Sequence, residues 1–329
     1  MKIRGLGYVG FGAPDPKQWL KFGVDIIGAM PARALPGESW GTPMDPTSGP
    51  ASKGSGVGAD GSVYLKFDDY QWRIAVHPHP TQRGILYIGF EMASAEDIEQ
   101  AVDELLQSGF EARMGTLEEA RARSVTSIAF TKDPNGNNVE LFYGPCKDFK
   151  FHSKVGAKFK TSDMLKGSLG LGHMNLFVSD LIEVGAFYNQ TLGFKLSDYI
   201  MFAPGLSANF FHCNPRHHTL GLTRVGDING LHHIMFEMET ADMVGQCLDR
   251  VQAAGIKVTS TLGRHTNDHV LSFYMSSPFG FEVEIGCEGL LVGENWLPNE
   301  FCEGDVWGHK GLDPATITDT AKQITRHQK

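Results

Sequence analysis

Between residues 263 and 286 the chain reads GRHTNDHVLSFYMSSPFGFEVEIG. This one stretch holds two imidazoles (His265, His269), three carboxylates (Asp268, Glu282, Glu284), the carboxamide Asn267 and the phenol Tyr274. Two apolar runs, 270–275 and 281–286, flank a Ser-Pro-Phe-Gly turn, the pattern of two antiparallel strands joined by a short connection. A carboxylate near the end of such a strand is costly to bury unless a cation or a donor answers it. Glu284, with Val283 and Ile285 on either side, is the residue in that position. Histidines recur elsewhere: His173 in GLGHMNLFV, the pair His232-His233 in LHHIMFEM, and His217-His218 in RHHT. Imidazole and carboxylate together are a donor set for a divalent transition metal, and a histidine free of metal can exchange a proton near neutral pH.

The elements that must position these groups occur twice. An opening strand around Leu6 is followed by Asp15-Pro16, a helix bearing Trp19, Phe22 and Ile27, and Gly28; the strand from Gly170 to Val178 is followed by Asp180 and a helix that stops at Gly193. An acidic cap, a proline at the first helical position and a terminal glycine are helix punctuation. The run LYIGFEM at 86–92 matches LHHIMFEM at 231–238, and each precedes a helix ending in glycine, Gly109 or Gly255. In register, Tyr8 stands opposite His173, Tyr87 opposite His233 and Glu140 opposite Glu284. One half thus carries Tyr, Tyr, Glu and the other His, His, Glu. The first copy is longer between its two tyrosines because of a Gly-, Ser- and Pro-rich segment at 36–61, read as an inserted surface loop. Such a duplication implies units that bury their apolar faces against one another.

With 329 residues, a duplicated, two-domain chain is expected. The boundaries read from sequence are 1–146 for an amino-terminal domain without metal, 147–168 for a polar crossing, 169–290 for a metal-binding catalytic domain and 291–329 for a tail. A net charge of −9 argues against nucleic acid or an anionic membrane as partner. Five cysteines with no CxxC pair argue for a reducing, cytoplasmic location. The amino terminus reads as a first strand and not as a signal peptide, and no apolar stretch is long enough to cross a bilayer. His77 and His79, alternating with prolines, read as an exposed turn.

These motifs resemble those of the type I extradiol dioxygenases, vicinal oxygen chelate enzymes that open catechol rings. The resemblance covers nearly the whole chain and is most specific from His173 to Gly286. It implies an α+β fold of two domains, each of two paired βαβββ modules. It implies Fe(II), ahead of Mn(II), on His173, His233 and Glu284, a triad that leaves neighbouring positions for a diol and dioxygen. It also implies an acid-base role for His218 in RHHT, supporting roles for His265, Asp268 and Tyr274, and a polar contact from Asn267. Extradiol cleavage of a bicyclic or polycyclic catechol, either dihydroxybiphenyl-like or steroid-derived, is the function implied, by a homo-oligomer acting in aromatic catabolism. Asn175, Ile200, Met201, Phe202 and Phe210, with Phe211, are the residues that could line the pocket for a second ring.

The residues alone leave alternatives open. His232 competes with His233, since adjacent strand residues face opposite sides. His217 and His212 compete with His218, and Tyr274 could be core. Two rival functions share the fold: a metal-free sequestering protein and a glyoxalase-like isomerase. The concentration of His, His and Glu in one half favours the oxygenase over the isomerase, and a sequestering protein would have no reason to keep RHHT at 216–219 and GRHTNDH at 263–269 beside that triad.

Overall fold

A computed structural model describes residues 1–38, 49–50, 52–80, 84–312, 317 and 322. The chain divides into two compact units, one of residues 7–132 and 137–157, the other of residues 1–6, 133–136 and 158–329. Part of the inserted segment read at 36–61 lies outside the described residues.

The first unit runs β1 (Ile3–Ala13), α1 (Pro16–Lys21), β2 (Met30–Pro31), β3 (Val63–Lys66) and β4 (Ile74–Pro78), then β5 (Ile85–Met92), α2 (Ala95–Gln107), β6 (Ala112–Met114), α3 (Leu117–Arg123), β7 (Ser127–Lys132) and β8 (Asn138–Tyr143). This is the expected pair of βαβββ modules, with α3 added inside the second. The eight strands form one sheet in the order β2-β3-β4-β1-β5-β8-β7-β6, so the modules meet where β1 lies beside β5. Asp15 caps α1 by accepting from the Lys17 amide, and Pro16 sits at its first position. The helix passes into a π-helical turn over Phe22–Ile27 and stops at Gly28, whose φ of +96° is in the left-handed region where glycine costs least. Ser94 caps α2, which buries Ile98, Ala101, Val102 and Leu105 on one face.

In the second unit a small hairpin, β9 (Ser162–Asp163) and β10 (Gly167–Ser168), precedes the repeat of the plan. The modules are β11 (His173–Phe177), α4 (Leu181–Ala186), β12 (Lys195–Ala203), β13 (Leu206–His212) and β14 (Leu220–Val225), then β15 (Gly230–Glu237), α5 (Ala241–Ala253), β16 (Val258–His265), β17 (Leu271–Ser276) and β18 (Glu282–Cys287). Like α1, α4 runs into a π-helical turn, Phe187–Thr191. The chain after β18 adds two edge strands, β19 (Asn299–Phe301) on β12 and β20 (Asp305–Trp307) on β16, making a ten-stranded sheet. Among the described residues no helix is long and apolar enough to cross a membrane.

Three register facts position the site. The hairpin foreseen between 263 and 286 forms as β17 against β18, with Tyr274 opposite Glu284. Parallel pairing of β15 with β18 sets Met235 opposite Glu284, and antiparallel pairing of β11 with β15 sets His173 opposite Met235. His173 and Glu284 therefore flank one position on the central strand, two residues beyond His233.

Candidate active site

The three strands bring His173, His233 and Glu284 together, all buried. Nε2 of His173 lies 3.1 Å from Nε2 of His233 and 3.2 Å from Oε2 of Glu284, and Nε2 of His233 lies 3.3 Å from the same oxygen. Donors sharing one octahedral ion at bonds of about 2.1 Å stand roughly 3 Å apart. Both oxygens of Glu284 are buried and neither accepts a hydrogen bond. A closed triangle of lone pairs around a carboxylate with no hydrogen-bond donor is what a divalent cation would fill, so the residues fit a metal. Burial pushes His233 well below the ordinary imidazole value, with His232 beside it adding to the effect, which keeps the ring neutral as a metal ligand requires.

His232 does not compete for the triangle. Its Nδ1 meets Nδ1 of His233 at 2.9 Å, and its Nε2 faces Glu282 Oε2 at 3.1 Å. A carboxylate and a second imidazole thus stand behind His233, the kind of outer shell that fixes a ligand's orientation.

A cavity opens on the triangle, lined on its polar side by Asn175, His218, Thr223, His265, Asn267, Asp268 and Tyr274. The His218 ring lies over His173 with centroids 4.0 Å apart and packs edge-on against Phe210 at 4.8 Å. Burial pushes its pKa well below the ordinary value, and the neighbouring His173 pushes the same way. Asp268 Oδ2 stands 3.7 Å from His218 Nδ1, while Oδ1 accepts from the Val270 amide. His217 faces away: its Nε2 is held 2.7 Å from Asp198, and it does not line the cavity. His212 is bonded to Ser197 and does not line it either. His265 Nε2 lies 2.9 Å from the Tyr274 hydroxyl and 3.5 Å from Glu284 Oε1. The Asn267 amide nitrogen is buried without a hydrogen-bond partner. Asn175 accepts from Thr223 at 2.8 Å.

Ile200, Phe202, Ala208 and Phe210 form an apolar wall, completed by Leu312 and Ile317 from the carboxy-terminal segment. Met201 corrects the sequence reading. It is 47% exposed and absent from the lining, because its side chain leaves the strand on the face opposite Ile200 and Phe202. Phe211 is buried but likewise absent from the lining. His77 is a second correction: it lies in β4, and its ring bonds Ser62 and the Tyr87 hydroxyl.

Sequence reasoning missed Asp305 and His309. Asp305 Oδ1 lies 2.8 Å from His265 Nδ1 and 2.6 Å from His309 Nδ1. An aspartate four residues before a histidine in a glycine-flanked strand was the only local signal, and the contact to His265 spans 40 residues of sequence.

Residues 170–285 match the model of the Glyoxalase/Bleomycin resistance protein/Dioxygenase superfamily. Over its full length the chain is 36% identical to a biphenyl-2,3-diol 1,2-dioxygenase of Metapseudomonas furukawaii, covering 99% of that protein. It is 34% identical to an iron-dependent extradiol dioxygenase of Rhodococcus jostii RHA1, covering 95% of this chain and 100% of the relative. Among solved structures, a halotolerant catechol dioxygenase superposes with a TM-score of 0.81 at 30% identity, covering 96% of this chain and 97% of the other. A Mn(II)-bound glyoxalase of Novosphingobium aromaticivorans superposes with a TM-score of 0.74 at 18% identity over 96% and 94% of the two chains, a likeness of fold alone.

Proposed function

We propose for this chain, which belongs to the extradiol ring-cleaving dioxygenases of the glyoxalase/bleomycin resistance protein/dioxygenase superfamily, the opening of a bicyclic or polycyclic catechol beside its two hydroxyls. Both atoms of dioxygen enter the product, and the reaction serves the breakdown of aromatic compounds. The observation that carries this reading is the buried His173, His233, Glu284 triangle in the lining of a cavity that Ile200, Phe202 and Phe210 also line.

Fe(II) held by His173, His233 and Glu284 would supply adjacent sites for the diol and dioxygen and an electron route between them. The protein's own groups do the rest. His218, kept neutral by burial and standing over His173, accepts a proton from a catechol hydroxyl and returns it when the oxygen–oxygen bond breaks. Asp268 holds the polypeptide turn beside it and favours the imidazolium while the proton is there. His265 and Tyr274 form a hydrogen-bonded pair beside Glu284, and the Asn267 amide offers a buried donor to an oxygen of the bound reactants. Ile200, Phe202 and Phe210 exclude water and receive the second ring, worth roughly 1.5–3 kcal/mol for a phenyl-sized group. Asn175, two residues after His173, adds a polar group that favours an oxygenated substituent and keeps a steroid-derived catechol among the substrates.

The amino-terminal domain, 1–146, serves as a metal-free partner to the catalytic domain, 169–290. A cytoplasmic homo-oligomer is the form proposed. The five free cysteines support the compartment, and the exposed apolar side chains Met164, Leu165 and Leu297 support self-association.

The test is ring cleavage of catechol, 3-methylcatechol, 2,3-dihydroxybiphenyl and a steroid-derived catechol by the iron-loaded protein. A kcat/KM about ten- to a hundredfold higher for the bicyclic compounds is expected from the apolar wall. Equal turnover of unsubstituted catechol would show that the wall is only core.

A further inference from the structure

The carboxy-terminal segment enters the site through its side chains as well as its apolar wall. Its path is fixed by close backbone approach to β16. A Cβ on Gly308 would stand 2.2 Å from the Leu262 carbonyl oxygen, one on Gly311 2.1 Å from that of Thr259, and one on Gly263 2.4 Å from the His309 nitrogen. At these three positions nothing larger than glycine fits without movement. His309 itself is buried and adopts φ +43°, a left-handed conformation that is unfavourable outside glycine and persists only where surroundings hold it. Its ring is held at both ends: Nδ1 is 2.6 Å from Asp305 Oδ1, and Nε2 is 2.9 Å from the Ser272 carbonyl oxygen and 3.1 Å from its hydroxyl.

Asp305 Oδ1 receives two imidazoles at once, His309 and His265. Burial raises the Asp305 pKa, but the two rings more than offset it and the group sits below its usual value, hence ionised. A carboxylate oxygen can only accept, so each ring nitrogen facing it carries hydrogen. For His265 this places a proton on Nδ1, and Nε2 at the other end of the ring faces the Tyr274 hydroxyl at 2.9 Å.

We infer that Asp305 and His309 are positioning residues: by holding the Nδ1–H of His265 they keep its Nε2 turned into the cavity, so that the Tyr274 hydroxyl is held at a set place beside Glu284. The inference rests on reading the cavity as the ring-cleavage site. Asp305 touches His265 and not the metal ligands, so removing it should leave the triangle intact. What is lost is the fixed direction of the hydrogen bond to Tyr274, a cost paid during reaction more than in binding.

Two measurements test this. The first needs no turnover: long-range proton–nitrogen NMR of the histidine rings in the full-length chain loaded with diamagnetic Zn(II). It should show His265 carrying a proton on Nδ1, and a mixture of forms in Asp305→Ala. Protonation of wild-type His265 at Nε2 alone overturns the inference whatever the enzyme cleaves. The second is steady-state kinetics of the iron-loaded enzyme with 2,3-dihydroxybiphenyl. Asp305→Ala should retain iron and the wild-type KM while kcat falls about 10- to 100-fold, the range typical of a lost outer-shell partner. Asp305→Asn, which keeps an acceptor oxygen, should recover part of the loss. His309→Gln should lose less than Asp305→Ala in the same sense. Wild-type kcat in Asp305→Ala, or a loss of iron in both Asp305→Asn and His309→Gln, would overturn the role. A wild-type chain that cleaves no catechol would instead refute the reading of the cavity, with the NMR result standing by itself.

Discussion

The two units answer the same problem, a buried glutamate on a central strand, with different cations. Gly89 faces Glu140 across β5 and β8 as Met235 faces Glu284 across β15 and β18, and two residues earlier stand Tyr87 and His233. In the second unit Glu284 accepts no hydrogen bond and lies among imidazole nitrogens. In the first, Glu140 accepts two bonds from the Arg123 guanidinium, at 2.8 and 2.9 Å, and one from the Tyr8 hydroxyl at 2.7 Å. Arg123 also lies over the Tyr87 ring, 3.9 Å from its centroid. It comes from α3, which has no counterpart in the second unit; four residues before the matching strand, the second unit has Asn267 instead. An arginine delivered by a helix thus fills the place that a metal would take. The tyrosine rings need room, and glycine provides it: a Cβ at Gly89 would meet the Tyr8 ring at 2.3 Å, and one at Gly10 the Tyr87 ring at 2.2 Å. The matching residues in the second unit are Met235 and Asn175. Burial pushes both phenols far up, Tyr8 and Tyr87 alike, so they stay neutral and make poor ligands.

The largest expected effect separates the two glutamates. Glu284→Ala should abolish both iron binding and ring cleavage, because it removes one of three protein donors and the only anionic one. Glu140→Ala should keep the wild-type iron content and kcat. Full iron occupancy in Glu284→Ala, or iron loss in Glu140→Ala, measured by metal analysis of the purified protein, would break the comparison. Next is His218→Ala, which should keep its iron and lose about 10²- to 10⁴-fold in kcat, the usual range for a general acid-base group. A nearly active variant would move the role to His265.

The second unit's triad was legible because it sits on strands, where a repeat of two residues and the duplicated register carry a position from one copy to the other. His173, His233 and Glu284 fall on the three strands that register selects. Helix starts were legible for a similar reason, since Asp15, Ser94 and Asp180 each cap locally. What escaped depends on contacts distant in sequence. Nothing near Asp305 announces that it meets His265, and α3, though it carries a full capping box at Thr116 and Glu119, is a single short helix inside a module. Met201 was misassigned because an apolar strand residue looks alike on either face until pairing fixes the side.

Within the first unit a smaller effect should follow from packing. Gly89→Ala pushes a methyl into the Tyr8 ring and should cost about 1–3 kcal/mol of stability, the usual range for overpacking. Arg123→Ala leaves Glu140 with Tyr8 as its remaining side-chain donor and should destabilise by a similar amount, about 1–3 kcal/mol, the pair being partly solvated because the arginine is 21% exposed. Neither change should create a second metal site, since Tyr8 and Tyr87 remain neutral phenols. Urea midpoints measure the stability, and iron per chain after reconstitution measures the rest. A second tightly held iron in Arg123→Ala would show that only the guanidinium had kept metal out.

The smallest effect concerns pH and the histidine behind Tyr87. His77 Nε2 lies 2.7 Å from the Tyr87 hydroxyl and Nδ1 2.9 Å from Ser62, so both ring nitrogens are engaged. Burial lowers its pKa to about 4, Arg123 pushes the same way, and Asp60 opposes them without reversing the result. The unfolded chain, with a histidine near 6.5, therefore binds the proton before the folded one does. Stability due to this group is complete above pH 6.5, falls as pH drops from 6.5 towards 4, and changes no further below that. Asp60, which burial pushes up but the Ser62 amide and hydroxyl hold below the usual aspartate range, loses its contribution below that window. His212 in the second unit is also lowered to about 4 and adds a slope over the same range. The measurement is thus the change in urea midpoint with pH in His77→Gln against wild type, and not the midpoint at one pH, which the lost bond to Tyr87 would lower anyway. The variant should show a shallower loss between about pH 6.5 and 4.5, and adding His212→Gln should make it shallower still. An unchanged slope in His77→Gln would mean that the ring takes its proton in the folded state without penalty, and that Tyr87 does not depend on a neutral His77 to hold its place under Arg123.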